Sequence, residues 1–144
     1  MWKSEVSVDI AAPVERVYGY LADLTRHSEW SMSVAVIEQV TPGPVGVGTE
    51  FKASETLPVK LVSFARLTAL EAPARVAWES TDHRVFRTQW EFALSALPGG
   101  THLVQRVTFY PLGWLGPLLL LLRQRQAPAE NLKSLQRIKA NLER

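Results

Sequence analysis

Few side chains in this sequence carry titratable chemistry at positions that read as interior. There is no Cys, and the three His are His27, His83 and His102. Without thiols there is no cysteine nucleophile, no disulfide and no thiolate metal site. The histidines fall at no HxH or HxxxH spacing, so no metal is expected. Gly43, Gly46 and Gly48 do not make a GxGxxG loop, and no Ser-His-Asp order or paired-carboxylate spacing appears. Two weak candidates for acid–base catalysis are left, Glu55 and His27. Glu55 falls on the apolar side of an alternating segment, where desolvation would raise its pKa and make it a general base. Its place near a strand end equally lets it reach water. His27, beside Glu29 and Trp30, is of the type that relays protons near neutral pH, set against the commoner surface histidine. His83 and His102 read as exposed.

Other polar residues interrupt otherwise apolar strand faces. Thr88 and Gln105 are such exceptions, and a buried polar group needs a partner or water. Gln105 would orient a ligand carbonyl or bond to backbone within the core. Arg66 would bind a ligand carboxylate if it pointed inward, but KLVSFARLTAL does not alternate cleanly and leaves its face open.

The elements that position these groups follow from hydrophobic period. Trp2 to Ile10 alternates as a half-buried strand, with Val6, Val8 and Ile10 on one face. Pro13 and Glu15 suit the first turn of a helix carrying Val14, Val17, Tyr18 and Leu21. Asp23 would cap a second short helix through His27 and Trp30. Strands follow over 34–40, 49–56, 60–70, 75–80, 85–95 and 101–110, separated by turns rich in Gly and Pro. The short connections make the sheet antiparallel. From Pro117 to Glu143 good helix formers dominate, giving a helix of about 40 Å at roughly 1.5 Å per residue. Its apolar positions run at spacings of three and four, through Leu115, Leu118, Leu119, Leu122, Ala129, Leu132, Leu135, Ile138 and Leu142. Pro128 should kink or restart it. This helix is the one large cover for the dry face of the sheet.

A curved sheet wrapped around one helix leaves space between them, and the alternation aims a mostly aromatic set into it. Phe51, Trp78, Phe86, Thr88, Trp90, Phe92, Gln105, Val107 and Phe109 face inward on this reading, joined by Leu118, Leu122 and Ala129 from the helix. Apolar walls with a few polar groups make a small-ligand pocket; the same residues also serve as plain core filling. Trp114 and the five leucines Leu118 to Leu122 offer more apolar surface than one helix face can bury. They read as a gate, a homodimer contact or a peripheral membrane contact beside Arg123 and Arg125, or as a helix covered on two sides by the sheet.

Composition sets the frame. The 144 residues are 47% hydrophobic and 21% charged, which suits a single domain over 1–144 with a sizeable core. Net charge is +2, and residues 111–144 hold six Lys/Arg against two Asp/Glu. No nucleic-acid-binding motif accompanies that basic segment, so no nucleic-acid partner is expected. Met1-Trp2-Lys3-Ser4-Glu5 opens without an apolar leader, and Leu112 to Leu122 is too short to span a bilayer. A cytoplasmic location is expected.

Three stretches resemble the START / Bet v 1-like superfamily, the polyketide cyclase/dehydrase and lipid transport group. They are VSVDIAAPVERVYGYLADLTRHSEW, VGVGTEFK and AENLKSLQRIKANLE. The resemblance implies an α+β helix-grip fold: a curved antiparallel sheet of about seven strands around a long C-terminal helix, with two short helices after strand 1. It also implies a hydrophobic tunnel, with His27 near its mouth. The expected function is binding of a lipid, isoprenoid or aromatic polyketide without a cofactor, extending to its transport. The alternatives are a polyketide cyclase/dehydratase or an interaction module using the Trp114–Leu122 patch.

Overall fold

The computed structural model of the chain describes residues 1–32, 34–55, 61–81 and 85–144. Strand β1 (Trp2–Ile10) leads into helix α1 (Val14–Ala22). Extended Pro13 starts the helix by accepting the N–H groups of Arg16 and Val17 at 3.0 and 3.1 Å. Helix α1 buries Val17, Tyr20 and Leu21. The Asp23 carboxylate then accepts the Thr25 N–H at 3.2 Å and caps a short 3₁₀ helix over Leu24–Glu29. Strands β2 (Val34–Gln39), β3 (Glu50–Glu55), β4 (Leu61–Glu71), β5 (Arg75–Thr81), β6 (Phe86–Leu97) and β7 (Gly100–Pro111) follow, and helix α2 (Leu115–Leu142) closes the chain. Gly99, with φ +77°, makes the tight turn between β6 and β7.

The seven strands form one antiparallel sheet in the order β1-β7-β6-β5-β4-β3-β2. The expected helix-grip architecture is the one observed. Register places the inward side chains in rows. One row runs across the whole sheet through Gln39, Phe51, Ala65, Ser80, Thr88, Phe109 and Trp2. A second joins Leu67, Trp78, Trp90, Val107 and Ser4. A third joins Val76, Phe92, Gln105 and Val6. The uneven pattern of β4 has a simple cause: Val62 and Phe64 are exposed on the outer face, while the small Ser63 and Ala65 point inward.

Helix α2 runs back along β1, and its C-terminal end is tied to the start of the chain. The Glu143 carboxylate accepts the Ala11 N–H at 2.8 Å. The Lys139 ammonium donates to the Asp9 carbonyl at 2.6 Å, and the Asn141 amide donates to the Tyr20 hydroxyl at 3.0 Å. At its other end Gly116 sits so close to the sheet that a Cβ there would lie 2.7 Å from the Val85 carbonyl oxygen.

Two expectations about α2 need correcting. It runs through Pro128 as one continuous helix and does not restart there, with Ala127 and Asn131 buried on either side. Its buried face is also not the one the leucines suggest. Gly116, Ala127, Asn131, Ser134, Leu135, Ile138 and Leu142 are buried, whereas Leu118, Leu122 and Ala129 face out. Five consecutive leucines make every face of those turns apolar, so period cannot choose among them. Among the described residues no helix is long and apolar enough to cross a membrane.

The interior holds two apolar clusters. One gathers α1, the 3₁₀ helix and the C-terminal half of α2 around Phe92, Leu103, Leu135 and Ile138. The other gathers Phe86, Val107, Phe109 and Ala127, with Leu119 and Leu120 half-buried against them. Trp90 packs on both.

Candidate functional site

The candidate site is the inner face of β5, β6 and β7 together with the helices that cover it. Direct pairing of Trp78 with Trp90 brings two indoles side by side, stacked at 6.0 Å with 6° between their planes. Phe92 lies 5.6 Å from Trp78, and Trp30 closes on Phe92 edge-on at 5.5 Å. The His27 ring packs 4.1 Å from Trp30 and 5.5 Å from Trp78. At the far end Phe86 and Trp2 pack on Phe109 at 5.6 and 5.5 Å. Trp90 donates its indole N–H to the Thr88 hydroxyl at 2.8 Å, and that hydroxyl also meets Ser80 Oγ at 2.7 Å. Thr88 is thereby satisfied within the row that alternation assigns to it.

A polar layer lies between the two apolar clusters. Val107 and Ala127 belong to one cluster, Leu103 and Leu135 to the other. Gln105 lies between Val107 and Leu103 on the same face of β7, and Asn131 lies one turn from each of Ala127 and Leu135 on α2. Both are buried, at 2% and 6% exposure, yet Gln105 Oε1 and Asn131 Nδ2 meet no protein hydrogen-bond partner among the described residues. His27 Nδ1 is buried and unpartnered as well. A buried polar atom that neither protein, water nor ligand meets costs about 1–3 kcal/mol, so this layer favours an occupant that hydrogen-bonds to it. The backbone bond expected for the Gln105 side chain is not made by its oxygen. Burial lowers the His27 pKa to about 3, leaving a neutral imidazole at ordinary pH. The surface reading of His27 is therefore corrected: the 3₁₀ helix turns the ring inward, onto Trp30 and Trp78.

The other predicted residues sort clearly. Phe51, Trp78, Phe86, Thr88, Phe92, Gln105, Val107 and Phe109 are buried on the inner face, and Trp90 is half-buried there. Trp114, Leu118 and Leu122 are 84%, 60% and 52% exposed and do not line the interior, for the reason given for α2. Glu55 is half-buried at the end of β3 and accepts from the Ser63 hydroxyl at 3.4 Å. Arg66 points outward and pairs with Glu79 at 2.7 Å, so it is no inward carboxylate ligand. His102 pairs with Asp9 at 2.6 Å near the surface, and His83 lies outside the described residues. Asn131 and Ser134 escaped the sequence reading. Their signal was polar residues at helical spacing with Ala127, Leu135 and Ile138.

The outer face of the sheet carries an open depression of about 440 Å³. Its charged residues are largely engaged with one another. Glu5, Arg106, Glu91, Arg75 and Glu71 form an alternating chain across β1, β7, β6, β5 and β4, with contacts of 2.6, 2.9, 2.6 and 2.7 Å. The two arginines hold the Glu91 carboxyl below the usual carboxylate range, Arg75 more than Arg106. Paired charges leave little for a ligand, whereas the inner face holds unmet polar atoms among aromatic rings.

The chain matches the family model described as polyketide cyclase / dehydrase and lipid transport over residues 1–143. It belongs to that family. No match was found among curated proteins. Solved structures share the fold at low identity. The Zhui aromatase/cyclase from a Streptomyces species is 16% identical with a TM-score of 0.78, covering 99% of this chain and 94% of that one. A START superfamily protein from Mycobacterium smegmatis is 13% identical with a TM-score of 0.76, covering 98% and 97%. The di-domain aromatase/cyclase StfQ of steffimycin biosynthesis is 17% identical with a TM-score of 0.79. There 98% of this chain spans half of the longer protein.

Proposed function

We propose that this family member binds a small, largely apolar ligand between its sheet and α2, and that the ligand carries hydrogen-bonding groups near its middle. One observation carries the reading: His27 Nδ1, packed between Trp30 and Trp78, and Gln105 Oε1 and Asn131 Nδ2 are buried without a protein partner among the described residues. A ligand hydroxyl would donate to Gln105 Oε1, and a ligand hydroxyl or carbonyl would accept from Asn131 Nδ2. Stacked Trp78 and Trp90 suit a flat aromatic or polycyclic skeleton. The family's description, which covers cyclases and lipid transport, agrees with such a ligand class. The test is uptake of an oxygenated polycyclic phenol against that of a hydrocarbon of the same size. Preference for the phenol supports the reading, and equal uptake removes the polar layer from it.

The second reading is a cyclase or dehydratase acting on a polyketide-type substrate. It draws on Glu55, a carboxylate on the inner face of β3 beside Ser63, and on the fold shared with Zhui. His27 contributes little to it as a base, because an imidazole with a pKa of about 3 holds a proton poorly.

A further inference from the structure

We propose that the first turns of α2 form a docking surface for an anionic lipid bilayer. Trp114, Leu118, Leu121 and Leu122 are 84%, 60%, 62% and 52% exposed. Their spacings of four, three and one put them on one side of the helix, opposite buried Gly116 and Ala127. Scattered exposed leucines are ordinary; a contiguous stripe headed by a tryptophan marks a contact surface.

Charge decides what it contacts. Residues 112–129 contain Arg123 and Arg125 and no Asp or Glu. Arg123 is held by Glu130 at 3.0 Å, and Arg125 is exposed beside the stripe. Lys3 and Arg87 lie at the same end of the sheet but project from its outer face, Arg87 over the Tyr110 ring, so Arg125 is the exposed cation that borders the stripe. An apolar stripe with a Trp at its edge and a cation on its border is the composition of an interfacial helix on anionic lipid.

Geometry joins this surface to the interior. The same turns that expose Leu118, Leu121 and Leu122 set Leu119 and Leu120 against Phe86 and Phe109. Apolar surface therefore runs around the helix from outside to inside. A ligand dissolved in a bilayer would pass between lipid and protein without crossing water. That route rests on the ligand reading above; the docking itself does not.

The experiment is co-sedimentation of the full chain with vesicles of phosphatidylcholine alone and of phosphatidylcholine mixed with phosphatidylglycerol. Uptake of an oxygenated aromatic dye is measured in parallel without lipid. The chain should pellet with the mixed vesicles and detach at high salt. Trp114→Ser with Leu118→Ser and Leu121→Ser should weaken pelleting about tenfold or more, and Arg125→Glu about fivefold or more. Neither should change dye uptake, since these side chains face away from the interior. A chain that stays in the supernatant with both vesicles overturns the proposal, as does equal binding to neutral and anionic vesicles. So does a dimer that the triple variant abolishes without any vesicle binding, which would assign the stripe to a second copy of the chain. Docking with no dye uptake would instead undo the ligand reading and leave the surface standing.

Discussion

Trp78 and Trp90 stack with parallel rings on paired positions of β5 and β6, and Trp90 touches both apolar clusters while donating its N–H to Thr88. Trp78 is buried at 4% exposure and Trp90 only half-buried. Their replacement should therefore separate stability from binding. Trp78→Ala should cost about 3–5 kcal/mol in denaturant unfolding. Trp90→Leu should cost only about 1–2 kcal/mol but weaken binding of an aromatic probe about tenfold. Equal losses of stability would place both rings in the core alone.

Gln105 and Asn131 carry the sharpest sign test. Replacing a buried polar group whose atom has no partner removes a penalty. Gln105→Leu and Asn131→Leu should leave stability within about 1 kcal/mol of wild type or raise it. The same variants should lose affinity for an oxygenated ligand by about tenfold each, because the hydrogen bond offered to it is gone. A large loss of stability, read by urea unfolding, would show that these side chains serve the fold.

His27 predicts a pH dependence. Its folded pKa is lowered to about 3, against about 6.5 when unfolded. Between these values the unfolded chain binds a proton that the folded chain does not, so stability falls as pH falls. The contribution is complete above about pH 6.5, declines by up to about 1.4 kcal/mol per pH unit toward 3, and is flat below. His27→Phe should flatten that part of the curve measured by denaturant titration. An unchanged slope would mean that His27 does not titrate as a buried group.

Glu55 separates binder from enzyme. If the chain only binds, Glu55→Gln should keep aromatic-probe affinity within about twofold, since the amide preserves size and an acceptor for Ser63. If it is a general base, turnover of a polyketide-type substrate should fall about a hundredfold or more with binding intact.

The strands were readable because most of them alternate and their turns carry Gly and Pro. The register of Thr88, Trp90, Phe92, Gln105, Val107 and Phe109 follows directly from that alternation. Strand β4 resisted because exposed Phe64 and buried Ser63 invert the usual match of polarity to burial. The amino-terminal half of α2 resisted because five leucines are apolar in every direction. His27 is half-buried, not exposed, because the short helix lays its ring against Trp30 and Trp78. Asn131 was missed because a single polar residue within a helical apolar face breaks the pattern being sought.

The central claim is that the interior holds a ligand bearing polar groups. Native mass spectrometry of the purified full chain, followed by denaturation and identification of what is released, tests it most directly. The expected result is a stoichiometric passenger with an aromatic or polycyclic skeleton and at least one oxygen function, reduced in occupancy in Gln105→Leu. A chain that emerges empty and also takes up neither oxygenated phenols nor fatty acids would contradict it.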